Sequence, residues 1–263
     1  DGFDAALGVG ASQGDLFKHF QSFFAEAIDS SSTCCVVALG PGSSGKTYSL
    51  LGTDSDRGMI SRGAQMLFDS GAPGLAVSIA EVSCEGVFDL LAGSNTLRLA
   101  WDSNSGQCTS DASFVRVGDA VTLDGVLRRG YEQREMFSLA TCEGSPQIYS
   151  HVVTTLEAPG GFSLIFCELA AVAHKESSHP HHTYVEGTTA RFGALLKTAF
   201  RKRRENDLLA ELGSSPLTQL LAKPLASRAT ALLVSLNVSA ADARAAERTL
   251  GFVDKYCIRR RNR

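Results

Sequence analysis

The most chemically specific stretch of this chain is Gly40-Pro41-Gly42-Ser43-Ser44-Gly45-Lys46-Thr47, which satisfies GxxxxGK[ST]. A polyphosphate needs such parts: glycines that let backbone N–H groups close around an anion, a lysine at the β- and γ-phosphates, and a hydroxyl for Mg2+. The preceding segment, Cys34-Cys35-Val36-Val37-Ala38-Leu39, is short, apolar and partly β-branched, as a buried parallel strand is. Thr47 to Leu51 then reads as the start of a helix. A strand, a glycine-rich loop and a helix in this order make Gly40, Gly42, Ser43, Ser44, Gly45, Lys46, Thr47 and Tyr48 the candidate nucleotide contacts, with Thr47 at the metal. The alternative is a Gly/Ser-rich hairpin that happens to contain Lys46, and the flanking strand and helix argue against it.

Other residue types invite weaker readings. His174, His179, His181 and His182 cluster in sequence, yet neither their spacing nor a supporting Cys or carboxylate framework specifies zinc, so a mobile polar loop is expected there. Seven cysteines, an odd number with Cys34 and Cys35 adjacent and no CxxC pair, point to neither a disulfide framework nor a zinc knuckle. A reducing cytosol fits them. The cysteines, Trp101 and the Phe-rich stripe near 16–24 are assigned to packing. With a net charge of −3 the chain is not basic throughout, but Arg201-Lys202-Arg203-Arg204 and Arg259-Arg260-Arg261-Asn262-Arg263 concentrate cations in its last quarter. Such runs attract an acidic partner over about a Debye length, unless they are merely solvated helix ends.

The elements that must position these residues read as alternating strands and helices. At 263 residues and 44% hydrophobic the chain fits one large domain with one core, and no apolar run approaches the ~18 residues of a membrane-spanning helix. Leu16, Phe17, Phe20, Phe23, Phe24, Ala27 and Ile28 recur at helical spacing, which predicts an amphipathic helix over roughly 14–29. Further strands are expected near 75–83, 97–101, 149–157, 162–168 and 230–238, and helices near 62–69, 120–137, 188–204, 216–223 and 240–257. The least regular stretches are 52–58, 102–112 and 174–187. This is an α/β pattern without repeats.

The surroundings of the loop resemble the kinesin family. Gly40 to Gly52, GPGSSGKTYSLLG, is similar to the kinesin GQTGSGKTYTMxG, and Arg57-Gly58-Met59-Ile60-Ser61-Arg62 stands where kinesins have RGIIPR. Val77-Ser78-Ile79-Ala80-Glu81-Val82 with Phe88-Asp89-Leu90-Leu91 resembles VSxxEIYNExxxDLL. Phe3-Asp4 and Leu7-Gly8 echo FDxVFG, Ser215 to Leu221 resembles SKLTRLL, and Thr249 to Val253 resembles TLRFA. The resemblance implies a P-loop NTPase motor-head fold, a central mixed, mostly parallel sheet flanked by helices on both faces. It implies a single motor domain over 1–263 that lacks the family's first strand, with its adenine-contacting segment, and the neck.

Departures from the family pattern carry the functional expectation. Kinesin switch I ends NxxSSRSH, and in register with it the chain reads Gly144 to His151, so the two serines at Mg2+ and the attacking water become Gln147 and Ile148 and the arginine becomes Tyr149. Switch II, DLAGSE in the family, is Glu168-Leu169-Ala170-Ala171-Val172-Ala173. The carboxylate near Mg2+ is lengthened to Glu168, the γ-phosphate-sensing glycine becomes Ala171, and the glutamate that pairs with the switch I arginine becomes Ala173. Losing both members of that pair avoids the penalty of one uncompensated charge. Without the water-holding hydroxyls and the clamp, hydrolysis is expected to slow by ~10²–10⁴-fold.

Three functions follow as expectations. The leading one is a divergent kinesin-like head that binds microtubules and ATP or ADP with Mg2+, hydrolyses weakly or not at all, and serves attachment or scaffolding on the cytoskeleton, in the cytoplasm. The others are an active ATP-driven microtubule motor and an unrelated P-loop phosphotransferase. The helix near 188–204 and the segment around 214–221 would face the acidic microtubule surface, with Arg201, Lys202, Arg203 and Arg204 supplying the cations that 212–218 lacks. A dimer partner or cargo would be met by segments outside the chain; no membrane or nucleic-acid partner is expected.

Overall fold

The computed structural model describes residues 3–141, 149–171, 180–200, 211–227, 229–236 and 242–257. The first half of the chain forms α1 (Gln13–Lys18), α2 (Gln21–Asp29), β1 (Cys34–Leu39), α3 (Lys46–Leu51), α4 (Met59–Asp69), β2 (Leu75–Ser83), β3 (Gly86–Asp89) and β4 (Asn95–Thr96). Next come β5 (Leu99–Asp102), β6 (Gln107–Ser110), β7 (Val115–Val117), α5 (Ala120–Thr141), β8 (His151–Glu157) and β9 (Ser163–Glu168). The remainder supplies α6 (Pro180–Phe200), α7 (Pro216–Leu220), α8 (Ala222–Ala226), β10 (Thr230–Val234) and α9 (Ala243–Tyr256).

All six residues of β1 are buried because helices cover both of its faces. Successive side chains of a strand point to opposite faces, so Cys34, Val36 and Ala38 enter one core while Cys35, Val37 and Leu39 enter the other. The first core packs α1, α2, α4 and α5 against the sheet; the second takes residues from α6 to α9. β1 lies between β10 and β9, parallel to both, and the sheet continues antiparallel through β8, β2, β3 and β4, with β7 also on β2. A mixed sheet with helices on both faces agrees with the sequence, but it is not mostly parallel: among the described strands the parallel pairings are those of β1 with β10 and β9, beside the phosphate loop. The rest are antiparallel, with β3 following β2 and β9 following β8 through short reversals rather than helical crossovers. β5 and β6 form a separate hairpin.

Several local readings needed adjustment. The single helix expected over 14–29 is two, because the chain breaks at His19 and Phe20 while Phe20 stays buried in the apolar stripe and preserves its periodicity across the break. α6 begins at Pro180, well before residue 188, so His181 and His182 belong to a helix rather than to a loop; His182 is buried. Residues 107–110, read as irregular, form β6. Of the cysteines, Cys34, Cys35 and Cys167 pack in the core, whereas Cys84, Cys108 and Cys257 are only partly covered. His174 and His179 lie outside the described residues.

Phe24 is fully buried, with its ring centroid 5.8 Å from those of Phe17, Phe23 and Phe166, and so ties α1 and α2 to β9. Truncating it removes the ring that all three contacts share. Phe24→Ala is expected to lower stability by about 3–5 kcal/mol, read by urea unfolding.

Candidate functional site

The loop leaving β1 is shaped by residues that need unusual backbone angles. Gly40 has φ +155°, and a Cβ there would meet the Ser235 carbonyl oxygen at 2.2 Å, so only glycine fits. Gly45, the N-cap of α3, has φ +91°, and Ser43 also takes positive φ, at 56°. The loop therefore turns tightly into the start of α3, the kind of backbone that can present N–H groups to an anion.

Lys46 is the first residue of α3 and only 6% exposed. Its Nζ donates to the Gly40 carbonyl at 3.0 Å and the Pro41 carbonyl at 2.8 Å. An ammonium carries three N–H donors, so one remains for an anion in the loop. Burial lowers the Lys46 pKa, the Glu168 charge opposes that shift and Arg134 adds to it. Ser44 Oγ is buried and has no hydrogen-bond partner among the described residues, a polar atom in the loop left for a ligand to satisfy. Tyr48 keeps its ring half exposed, while its carbonyl accepts from Gln13 Nε2 at 2.6 Å.

The loop's other wall is the end of β9. Thr47 Oγ1 donates to Glu168 Oε1 at 2.8 Å, and Glu168 Oε2 is buried without a hydrogen-bond partner among the described residues. A hydroxyl and a carboxylate side by side are hard oxygen donors of the kind Mg2+ takes, so these residues fit that ion.

Behind them sits a cation that sequence reasoning missed. Arg134, from α5, places Nη1 3.4 Å from Glu168 Oε2 and Nε 3.9 Å from Glu81 Oε1, and its Nη2 donates to the Ser150 carbonyl at 2.9 Å. Ser150 Oγ donates to Glu81 Oε1 at 2.5 Å. Burial raises the Glu81 pKa, with Ser150 and Arg134 pulling it back. The signal was in the helical periodicity: Leu123, Val126, Leu127, Gly130 and Tyr131 form the buried stripe of α5, and Arg134 continues it. A charge on an apolar stripe needs a buried partner.

The kinesin motor domain profile matches residues 2–159, more than half of the chain. The chain belongs to the kinesin motor domain family. Similar proteins include the kinesin-like protein KIN-14P of Arabidopsis thaliana, 27% identical over 286 residues that cover 96% of this chain and 27% of that protein. The kinesin-like protein KIN-14M of Oryza sativa subsp. japonica is 29% identical over 60% of this chain and 15% of its own length. The chain thus spans less than a third of these kinesin-like relatives. Among solved structures, KIF14 with ADP in complex with a microtubule superposes with a TM-score of 0.77 at 21% identity, covering 99% of this chain and 83% of that one. A fast kinesin superposes with a TM-score of 0.75 at 20% identity, covering 98% and 79%. Identities this low carry the fold alone.

Against the kinesin pattern, the structure brings Gly40 to Thr47 and Glu168 together. Ala171 stands across from the loop: a Cβ built on Gly42 would lie 4.0 Å from the Ala171 Cβ. Tyr149 is half-buried at the approach to β8. Gln147, Ile148, Ala173, Arg201, Lys202, Arg203 and Arg204 lie outside the described residues. His151 is fully buried; its Nδ1 accepts the Ala170 N–H at 3.1 Å and its Nε2 lies 2.8 Å from Thr188 Oγ1. With Nδ1 accepting, the neutral ring carries its proton on Nε2 and donates to Thr188, whose hydroxyl donates to the Tyr184 carbonyl at 2.9 Å. Among the described residues no group of His, Cys, Asp and Glu is placed to hold a metal ion by itself.

Burial, with Arg134 adding to it, pushes the His151 imidazole from 6.5 down to about 3. The unfolded chain takes up that proton near its ordinary value, so the stability His151 contributes is complete above 6.5 and is lost as pH falls toward about 3. The loss runs at about 1.4 kcal/mol per pH unit. Urea unfolding between neutral pH and pH ~4 reads the slope, and His151→Gln is expected to lack this component of it.

Proposed function

We propose that this kinesin head binds nucleotide in the loop from Gly40 to Thr47 and hydrolyses it weakly or not at all, serving as a microtubule attachment or scaffolding module. The observation that carries the reading is a contrast between two halves of one site. Glycines that admit positive φ, a lysine with a donor to spare, and the Thr47–Glu168 oxygen pair are assembled, which supports binding. The family's water-holding serines are Gln147 and Ile148 in sequence, its switch I arginine is Tyr149, and the Ala171 methyl faces the loop. Mg2+, held by Thr47 and Glu168, would supply charge neutralisation to the phosphates. Lys46 and the backbone amides would do the rest of the positioning.

For the track, α6 and the segment from Ser214 to Leu221 stand next to each other, and Arg191 Nη1 donates to the Ser214 carbonyl at 3.4 Å. That brings a cation from α6 to a stretch that has none of its own. The run from Arg201 to Arg204 follows α6 directly in sequence and supports the same face. The chain would then reside with the cytoskeleton. No described helix is long and apolar enough to cross a membrane.

One observation favours the second reading, an active motor. Arg134 supplies a buried guanidinium to the switch II carboxylate, so the site retains an ion pair although Tyr149 and Ala173 cannot form one.

Phosphate release by the 263-residue chain, with and without microtubules, separates the readings. Turnover ~10²–10⁴-fold below a working motor is expected; microtubule-stimulated release at ordinary motor rates establishes the active motor instead. Mg-ATP is expected to raise the thermal midpoint of the chain and to leave Lys46→Ala unmoved. Alanine at Arg201, Lys202, Arg203 and Arg204 together is expected to weaken microtubule co-sedimentation, most visibly at low salt.

A further inference from the structure

A Cys–His–Glu set lies in the turn that joins β2 to β3, and the nucleotide reading uses none of it. Cys84 Sγ is 3.1 Å from Nδ1 of His181, and Nε2 of the same ring is 3.7 Å from Glu85 Oε1. The imidazole is thus bracketed by a thiol on one nitrogen and a carboxylate on the other. His181 belongs to the first turn of α6, the end of a helix where its dipole favours a nearby negative charge. Tyr184 lies in the next turn, its phenol raised first by burial and then by Cys84.

The other groups around the thiol fit the same picture. Glu81 feels the charge of Glu85 but faces Arg134 of α5. His182, buried beside His181, faces Glu186 at 3.7 Å instead. Cys84 is partly exposed, as are Cys108 and Cys257, but burial raises the thiols of those two, Cys257 to about 11, and neither meets a histidine among the described residues. The fully buried Cys35 is raised well above the ordinary thiol value and is sealed from solvent.

We infer that Cys84 is a nucleophilic thiol activated by His181, with Glu85 as the residue that positions the imidazole, and that its co-reactant is hydrogen peroxide. The thiol proton passes to His181 Nδ1. The thiolate attacks one peroxide oxygen, an S–O bond forms as the O–O bond breaks, and the departing hydroxide takes the proton from His181 to leave as water. Cysteine is oxidised to sulfenic acid and peroxide is reduced. Hydrogen peroxide is uncharged, so the Glu85 carboxylate beside the ring does not repel it as it would an anionic oxidant.

Iodoacetamide serves as the probe, since the thiolate displaces iodide and leaves a thioether that peptide mass spectrometry locates. At pH ~7 Cys84 of the full chain is expected to react at least about tenfold faster than Cys108 or Cys257, and His181→Asn to slow it about tenfold. Should that variant fail to fold, the pH profile of the unsubstituted chain decides: a midpoint well below ~8.5 upholds the inference, and a midpoint at or above it overturns it. Glu85→Gln is expected to move the midpoint upward, which a merely structural carboxylate would not do. Treatment with hydrogen peroxide followed by dimedone is expected to tag Cys84 selectively. Equal labelling of Cys84 and Cys108, or an unchanged rate in folded His181→Asn, defeats the proposal.

Discussion

A guanidinium buried at the end of an apolar helical stripe survives only where carboxylates meet it, and here the register of the sheet brings them. Glu81 of β2 pairs with Val152 of β8, and Val152 pairs with Glu168 of β9. Paired residues project to the same face, so the two carboxylates flank Val152 on one side of the sheet, two strand spacings or roughly 10 Å apart. Arg134 comes down from α5 and reaches both. A slip of one residue in either pairing would turn one carboxylate to the opposite face and leave a buried charge without its partner, an error that costs about 3–5 kcal/mol. The cluster therefore fixes the register of β2, β8 and β9 as firmly as the apolar contacts do.

The same cluster joins the phosphate loop to the helix on the far side of the sheet. Thr47 bonds to Glu168, Glu168 pairs with Arg134, and Arg134 bonds to the Ser150 carbonyl. The next residue, His151, holds the Ala170 N–H on one nitrogen and Thr188 of α6 on the other. Each link is a direct contact between groups that are buried or nearly so. A change of position at Glu168 therefore has only packed neighbours to push against, which is the physical condition for coupling between loop and helix.

How much of this was legible depended on how local the governing constraint is. The loop from Gly40 to Thr47 could be read outright because phosphate recognition demands particular residues at adjacent positions, and β1 announced itself because burial on both faces removes polar residues from a strand. The helical break at His19 and Phe20 was hidden, since the apolar spacing runs straight across it. β3 and β7 are too short to show a period, and each exists because it pairs with β2. The start of α6 at Pro180 was also invisible, as His181, His182 and Thr183 give no apolar repeat and their helical state comes from tertiary contacts such as that between His181 and Cys84. Arg134 was readable in principle from its place on the stripe of α5, but its partners lie 53 and 34 residues away in sequence, positions that only the folded sheet brings near.

The length of Glu168 gains meaning from these contacts. Its two oxygens serve different neighbours, Thr47 at 2.8 Å and Arg134 at 3.4 Å. A side chain one methylene shorter would withdraw both oxygens by about 1.5 Å and could not hold the two contacts from the same backbone position. The carboxylate thus keeps Arg134 neutralised while it also serves Thr47. Lys46 and Arg134 against Glu81 and Glu168 make a balanced set, so this part of the interior holds no orphaned charge. Charge balance, however, does not aim a water molecule. Aiming water at a γ-phosphate takes positioned donors rather than net charge, so binding and hydrolysis place different physical demands on one site.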